Sequence, residues 1–449
     1  MTDMPASPPP RDPPGAWPGA PGGATGGATG PDRPWTALPD HRDWLRARAG
    51  ALWSLFEGAR DPAGGFFTLD AAGRPRDPGA PRAIHDTTRM VHSFALAELC
   101  GRPGAGALVD HGLAFLRDAH RDPDHGGYAA RAAAGGTRSG GARSGAVRSG
   151  RKMAYGHAFV LLAASSALVA GHGDARALLD DVAEVLDTRF WEDGPGAMAE
   201  EFEPDWTPVP GYRGQNANMH MVEALMAAFE ATGEGLFLDR ALRIAELIVD
   251  RTARAHGWRL AEHFDEGWRV DRDYDGDPMF RPGGLTPGHG LEWARLLVQL
   301  HALAGPGRAG WAPDAARGLF DRALSHGWDR ARGGLVYTVG WDDAPRVADR
   351  YWWPVCEGIG AAHALGAGRA PGLQAHPEAE GWYRRMWDFA ALTLVDRANG
   401  GWHPQIDARG LPAEDPFFGK PDIYHALQAC LVPLFPVTAS LSTHLAGRG

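Results

Sequence analysis

Two histidines stand near the starts of two segments with helical periodicity, His289 in TPGHGLEW and His425 in GKPDIYHALQ. Each has a polar residue three positions on, Glu292 and Gln428, and His220 in NANMHMVE repeats the pattern with Glu223. On a helix that spacing puts both groups on one face. Imidazole moves protons near neutral pH, its unperturbed pKa being about 6.5. Two imidazoles on opposite sides of a bound carbonyl compound could take a proton from one carbon and return it to another. Glu292 is the carboxylate expected to orient His289. Taken singly, a histidine beside an apolar helix is ordinarily a hydrogen-bonded core residue; its recurrence at three helix starts argues for chemistry. Metal sites on carboxylate-bearing helices use Glu-x-x-His pairs. Here the order is reversed and the acids are too few for a two-metal site, so no metal and no cofactor is expected.

The elements that must position these groups are helical. Tyr383, Met386, Trp387, Ala390, Ala391 and Leu394 recur at helical spacing, as do Ala241, Ile244, Ala245 and Ile248. About twelve helices are expected, starting near 41, 86, 104, 153, 174, 217, 236, 289, 313, 354, 377 and 421. A Gly-Gly-hydrophobic step recurs at Gly64-Gly65-Phe66, Gly126-Gly127-Tyr128, Gly333-Gly334-Leu335 and Gly400-Gly401-Trp402, with Asp61, Asp122, Asp329 and Asp396 shortly before. Weaker echoes fall near Gly196 and at His256-Gly257-Trp258. Glycine suits a helix C-terminus because it tolerates positive φ; the extended residues that follow, such as 335–339, read as short hairpin strands. Six marks one helix pair apart predict six helical hairpins closed in a ring, an all-α (α/α)6 barrel, over an open solenoid. In such a ring the inner helices point their N-termini at one mouth. Arg89, His157, His220, His289, Glu357 and His425 would gather there.

The chain has 449 residues and a net charge of −10, which argues against a nucleic-acid partner. No apolar run approaches the ~18 residues of a membrane helix, and the N-terminus lacks a signal pattern. Cys100, Cys356 and Cys430 show neither zinc spacing nor a disulfide framework, as expected in the cytoplasm. Residues 1–34, rich in Pro, Gly and Ala, are expected to be disordered. Residues 35–440 are expected to form one catalytic domain, with a flexible insertion at about 129–150 that repeats Arg-Ser-Gly. Only two lysines occur, Lys152 and Lys420, each shortly before a histidine. Seventeen tryptophans, among them Trp293, Trp352, Trp353 and Trp402, supply flat faces for the C–H side of a sugar ring. A small-molecule sugar is the expected partner, without nucleic acid or membrane; monomer and homo-oligomer are both open.

In order, TTRM, NxNMH, PGHGLEWARLL, RYWWPxxE and GKPDIYHALQ resemble the N-acylglucosamine 2-epimerase superfamily over roughly 40–436. The DIYHALQ form, and Trp293 where the epimerase branches usually have Ala, are most similar to its aldose–ketose isomerase branch. The resemblance implies a metal-free (α/α)6 barrel converting D-mannose to D-fructose through a cis-enediol. It implies that His425 handles the C2 proton and His289 the C1 side. Arg89 would hold the substrate's oxygens and stabilise the enediolate, and His220 would assist ring opening. Glu292 and Glu357 would be pocket carboxylates, and Trp353, Asn218 and Arg281 would line the sugar site. Tyr128, beside the insertion, is a further pocket candidate. Alternatives are a sugar 2-epimerase, a sulfoquinovose isomerase, a sugar-binding barrel, and an inverting glycoside hydrolase. The hydrolase would need Glu292 and Glu357 about 6.5–9.5 Å apart across the pocket.

Overall fold

Each of the twelve periodic segments forms a helix that begins within two residues of its expected start. The chain is seen here in a computed structural model that describes residues 33–134, 137–139, 142–144 and 148–447. The helices are α1 (Pro39–Glu57), α2 (Ile84–Leu99), α3 (Ala105–Phe115), α4 (Ala154–Val169), α5 (Ala175–Val185), α6 (Gln215–Thr232), α7 (Gly235–Ala245), α8 (Pro287–Ala304), the short α9 (Pro306–Ala309), α10 (Ala312–Gly327), α11 (Trp352–Ala364), α12 (Ala379–Phe389), α13 (Ile423–Leu431) and the short α14 (Leu441–Ala446). Helices α2, α4, α6, α8, α11 and α13 pack side by side in a closed inner ring. Helices α3, α5, α7, α10 and α12 each back the inner helix before them. The last inner helix, α13, is backed by the first α-helix among the described residues, α1.

Composition decides which ring a helix joins. Helix α4 reads AYGHAFVLLAASSALV and is buried on nearly every side, so it has no polar face to offer water. Helix α5 buries Ala175, Leu178, Leu179 and Val182 on one stripe and exposes Arg176 and Asp180. Fully burying each large aliphatic side chain of such a stripe contributes about 1.5–3 kcal/mol. Ring closure is an (α/α)6 barrel.

One turn recurs where outer helices hand over to inner ones. The backbones of Asp61, Asp122, Asp329 and Asp396 hydrogen-bond with the glycine pairs that follow. In each Asp, Oδ1 accepts N–H groups inside the turn. Oδ2 meets a cation that stands two or three residues before an inner helix: Arg82 at 2.7 Å, Lys152 at 2.8 Å, Arg350 at 3.4 Å and Lys420 at 2.5 Å. Glu192 and Arg213 make a fifth such pair, at 2.5 and 2.9 Å. At the sixth junction, before α8, the corresponding residue is Leu285. Both lysines of the chain are thus accounted for. The second glycine is needed at these turns: Gly334 has φ +80°, and a Cβ there would lie 2.5 Å from Phe389.

The expected strands after the glycines are short. Thr338–Val339 pairs with Pro345–Val347. Within the insertion, Arg131–Ala132 pairs with Arg82–Ala83 on one side and Arg148–Ser149 on the other, and Thr137–Ser139 pairs with Ala142–Ser144. The expected disordered tail, 1–34, falls almost wholly outside the described residues. At the ring's other end α14 packs across α2 and α4, and Ser440 N–H donates to Glu230 of α6 at 3.1 and 3.0 Å. No described helix is long and apolar enough to cross a membrane.

Candidate active site

The N-termini of the inner helices surround a pocket of about 250 Å³, to which all six helices contribute. His289 and Glu292 come from α8 and His220 and Asn216 from α6. Trp352 and Trp353 come from α11, and His425 enters from α13 with its N-cap Asp422. Arg89 and His85 come from α2, and Tyr155 from α4. Trp353 lies between the two principal histidines, its ring centroid 4.9 Å from that of His289 and 5.8 Å from that of His425.

Each of these histidines has a carboxylate behind it. His289 Nδ1 lies 3.0 and 2.9 Å from the two oxygens of Glu262, and His425 Nδ1 lies 2.7 Å from Glu357 Oε1. A carboxylate only accepts, so Nδ1 carries the proton in both rings and Nε2 is left with a free lone pair. Burial pushes the Glu262 carboxyl up, but His289, His263 and Gln215 more than offset this, and it titrates below the ordinary value. Glu357 is likewise held low against burial, by Arg295 and His425. Arg295 stands 3.3 Å from Glu357 and 3.4 Å from Glu223.

Of the three i, i+3 pairs that sequence spacing suggests, His220 and Glu223 stay together, Nδ1 lying 3.9 Å from Oε2, whereas His289 and His425 take partners from elsewhere. Glu292 sits one turn deeper than His289 and faces His220 Nδ1 at 3.5 Å. Gln428 donates to Glu223 at 3.4 Å, while His425 is served by α11. Glu292 is 1% exposed with neither oxygen hydrogen-bonded. Burial, and then repulsion from Glu357 and Glu223, push its carboxyl far up, so it is held protonated. His220 is pushed down to about 4 by burial and stays neutral.

Arg89 is held in place at the pocket wall. It pairs with Asp422 at 2.7 Å, donates to Tyr155 Oη at 2.7 Å, and lies over the rings of Phe159 and Tyr424 at 4.3 and 4.9 Å.

His220, Glu223 and Glu292 bring ligand-type atoms within 4.8 Å of one another, which raises a cation site. The donor set suits one poorly. Arg295 already supplies positive charge beside Glu223 and lies 4.0 Å from Glu292.

Of the residues expected at the site, His289, His425, Arg89, His220, Glu292 and Trp353 line this pocket, and Glu357 supports it from behind. Asn218 is turned away: its amide binds Met198 and Gly214 backbone groups and ties α6 to a strand. Arg281 pairs with Glu200 and Glu201 at 3.2 and 3.1 Å beside a second cavity. Tyr128 borders that cavity too, its hydroxyl donating to Asp181. His157 is a structural residue, bonded to Met153 O and Tyr128 N–H. Trp293 faces away from the pocket and donates to Gln215. Sequence reading missed Glu262, Asn216, Asp422 and Tyr155. Glu262 carried a signal: AEHF at 261–264 repeats AEEF at 199–202 one unit earlier, so reading the repeat in register pairs Glu262 with Glu200.

The family model described as N-acylglucosamine 2-epimerase matches residues 64–429. The D-mannose isomerase of Thermobifida fusca is 44% identical over 422 residues, covering 92% of this chain and 99% of that protein. The D-mannose isomerase of Pseudomonas cannabina pv. alisalensis is 41% identical over 422 residues, covering 92% and 97%. A crystal structure of a D-mannose isomerase superposes with a TM-score of 0.77 at 32% identity, covering 87% of this chain and 97% of that one. The cellobiose 2-epimerase from Spirochaeta thermophila DSM 6192, at 24% identity, has a TM-score of 0.74 over 88% and 96% and shares the fold.

Proposed function

The chain belongs to the N-acylglucosamine 2-epimerase family, and from that premise we propose that it is an aldose–ketose isomerase converting free D-mannose to D-fructose. The observation that carries the chemistry is the pair of histidine–carboxylate dyads, His289–Glu262 and His425–Glu357, facing one pocket with Trp353 between them. Relatives named D-mannose isomerase, more than 40% identical over nearly their whole length, favour mannose as the aldose.

In this reading Nε2 of His425 takes the proton from C2 of the open-chain aldose. The C2–H electron pair becomes the C1–C2 double bond, and the C1 carbonyl oxygen gains the charge of a cis-enediolate. Arg89 stabilises that charge. His425 then returns its proton to O1, giving the neutral enediol. On the other side Nε2 of His289 takes the solvent-exchangeable O2–H proton and delivers it to C1 as the C2 carbonyl forms, so nothing but proton positions has changed. Neutral His220 and protonated Glu292 supply a base and an acid for opening the sugar ring. Glu357 and Glu262 hold each imidazole in the tautomer that presents Nε2 to the sugar, and stabilise the imidazolium that forms.

Incubating the pure protein with D-mannose in deuterium oxide, with and without a chelator, tests this. The expected product is D-fructose with deuterium at C1, formed equally in both arms. Glucose without fructose would replace isomerisation by 2-epimerisation, and activity lost with chelator would overturn the metal-free route.

A further inference from the structure

Behind His289 the hydrogen bonds continue for two more residues, to side chains that never reach the pocket. Trp293, on α8 and fully buried, donates its indole N–H to Gln215 Oε1 at 2.8 Å. Gln215, the first residue of α6 and also fully buried, places Nε2 2.8 Å from Glu262 Oε2 and 2.9 Å from His289 Nδ1. Glu262 is fixed from its other side by the N–H of Thr286, the residue before α8, at 3.1 Å.

The chemistry of these groups removes the usual ambiguity of an amide. An indole N–H only donates, so the Gln215 atom it meets is the oxygen, and the NH2 must face Glu262. An NH2 beside Nδ1 of His289 offers that nitrogen no acceptor. The Nδ1 proton therefore has one place to go, the Glu262 carboxylate. Were the amide reversed, its oxygen would face the carboxylate and compete for the Nδ1 proton, and Trp293 would lose its acceptor in a fully buried position.

We infer that Trp293 and Gln215 are positioning residues for His289: by fixing one amide orientation they direct the Nδ1 proton to Glu262 and keep Nε2 aimed at the substrate. This inference rests on the isomerase reading. Within it the two histidines have separate duties, so loosening His289 should affect one carbon more than the other. His425 would still take the C2 proton and form the enediol. Transfer to C1 would be slowed, and the enediol would more often be reprotonated at C2 by His425 carrying a solvent deuteron.

The test is the ratio of two rates measured with D-mannose in deuterium oxide: loss of the C2 proton from recovered aldose, and formation of ketose. In Trp293→Phe and in Gln215→Met, ketose formation should fall on the order of tenfold, the size typical of removing the partner of a partner. KM should stay within about twofold, and the exchange-to-ketose ratio should rise by about fivefold or more. The double variant should be no worse than either single one, because both break the same chain. A purely structural role would lower both rates together and leave the ratio at the parent value, which would overturn the inference. Should either variant fail to fold, the other carries the test. The histidine ¹⁵N spectrum of the unaltered protein, with His289 assigned by its loss in His289→Ala, gives an independent arm: a proton on Nε2 rather than Nδ1 would also overturn it. A parent that makes no ketose from mannose would instead sink the isomerase reading.

Discussion

Glu292 and Glu223 are neighbours beneath the pocket and carry opposite protonation. Glu223 accepts from Tyr424, from Gln428 and from Arg295; burial raises its carboxyl, but His220 and Arg295 hold it far below the carboxylate range. Glu292 has no such donors and stays neutral. The amide substitution should therefore separate them. Glu292→Gln should change unfolding free energy in urea by less than about 1 kcal/mol, since a neutral acid is replaced by a neutral amide. Glu223→Gln should cost about 3 kcal/mol, the usual result of removing one partner of a buried ion pair. Equal costs would contradict this assignment. At this scale the sequence was legible where a side chain rises from the first turn of an inner helix, as with His289, His425, Arg89 and Trp353. It misled where the choice was between faces. In NANMH, Asn216 lines the pocket and Asn218 does not, because residues two apart on a helix point about 200° from one another. Glu262 was missed because it stands in a loop, 27 residues before the histidine it serves.

The helix boundaries were legible because glycines with positive φ punctuate them at regular spacing. The buried ion pairs at the same junctions were not, since each joins one turn to a cation as much as 30 residues further on. Scarcity alone drew attention to Lys152 and Lys420. Lys152 is 1% exposed and bridges Asp122 to the start of α4. Lys152→Met should destabilise the protein by about 3–5 kcal/mol by leaving Asp122 without its counter-charge. Pairing it with Asp122→Asn should restore part of that loss but not all, because Oδ1 of Asp122 also accepts the turn N–H groups. Chemical denaturation of the three variants measures this. A double variant no better than the single one would show that the charge is not what holds the junction. The two ends of the 129–150 insertion add strands beside Arg82–Ala83, a pairing that needs a sheet edge no local pattern reveals.

Burial titrates across the whole molecule. His92, His120, His157 and His220 are pushed down to about 4 by burial, and His41 and His363 to about 3. These histidines stay neutral in the fold but take up protons near pH 6.5 once unfolded. Stability is therefore intact above pH 6.5 and is lost as pH falls toward 4. Each contributes a loss of about 3 kcal/mol by pH 4, against a typical total of about 5–15 kcal/mol. Acid unfolding followed by circular dichroism should be centred above pH 4, with uptake of several protons; a midpoint below pH 3.5 would refute this. The six-fold count was legible at this scale because the marks stop at six. The order of closure was not: the outer partner of the last inner helix is the first α-helix among the described residues. That pairing sets a schedule for synthesis. As the chain leaves the ribosome, α1 must wait through five helical pairs for α13, and the wall holding His425 and Asp422 is the last to arrive. A nascent chain can thus bury most of its core with no working pocket, and catalytic competence comes only when beginning and end meet.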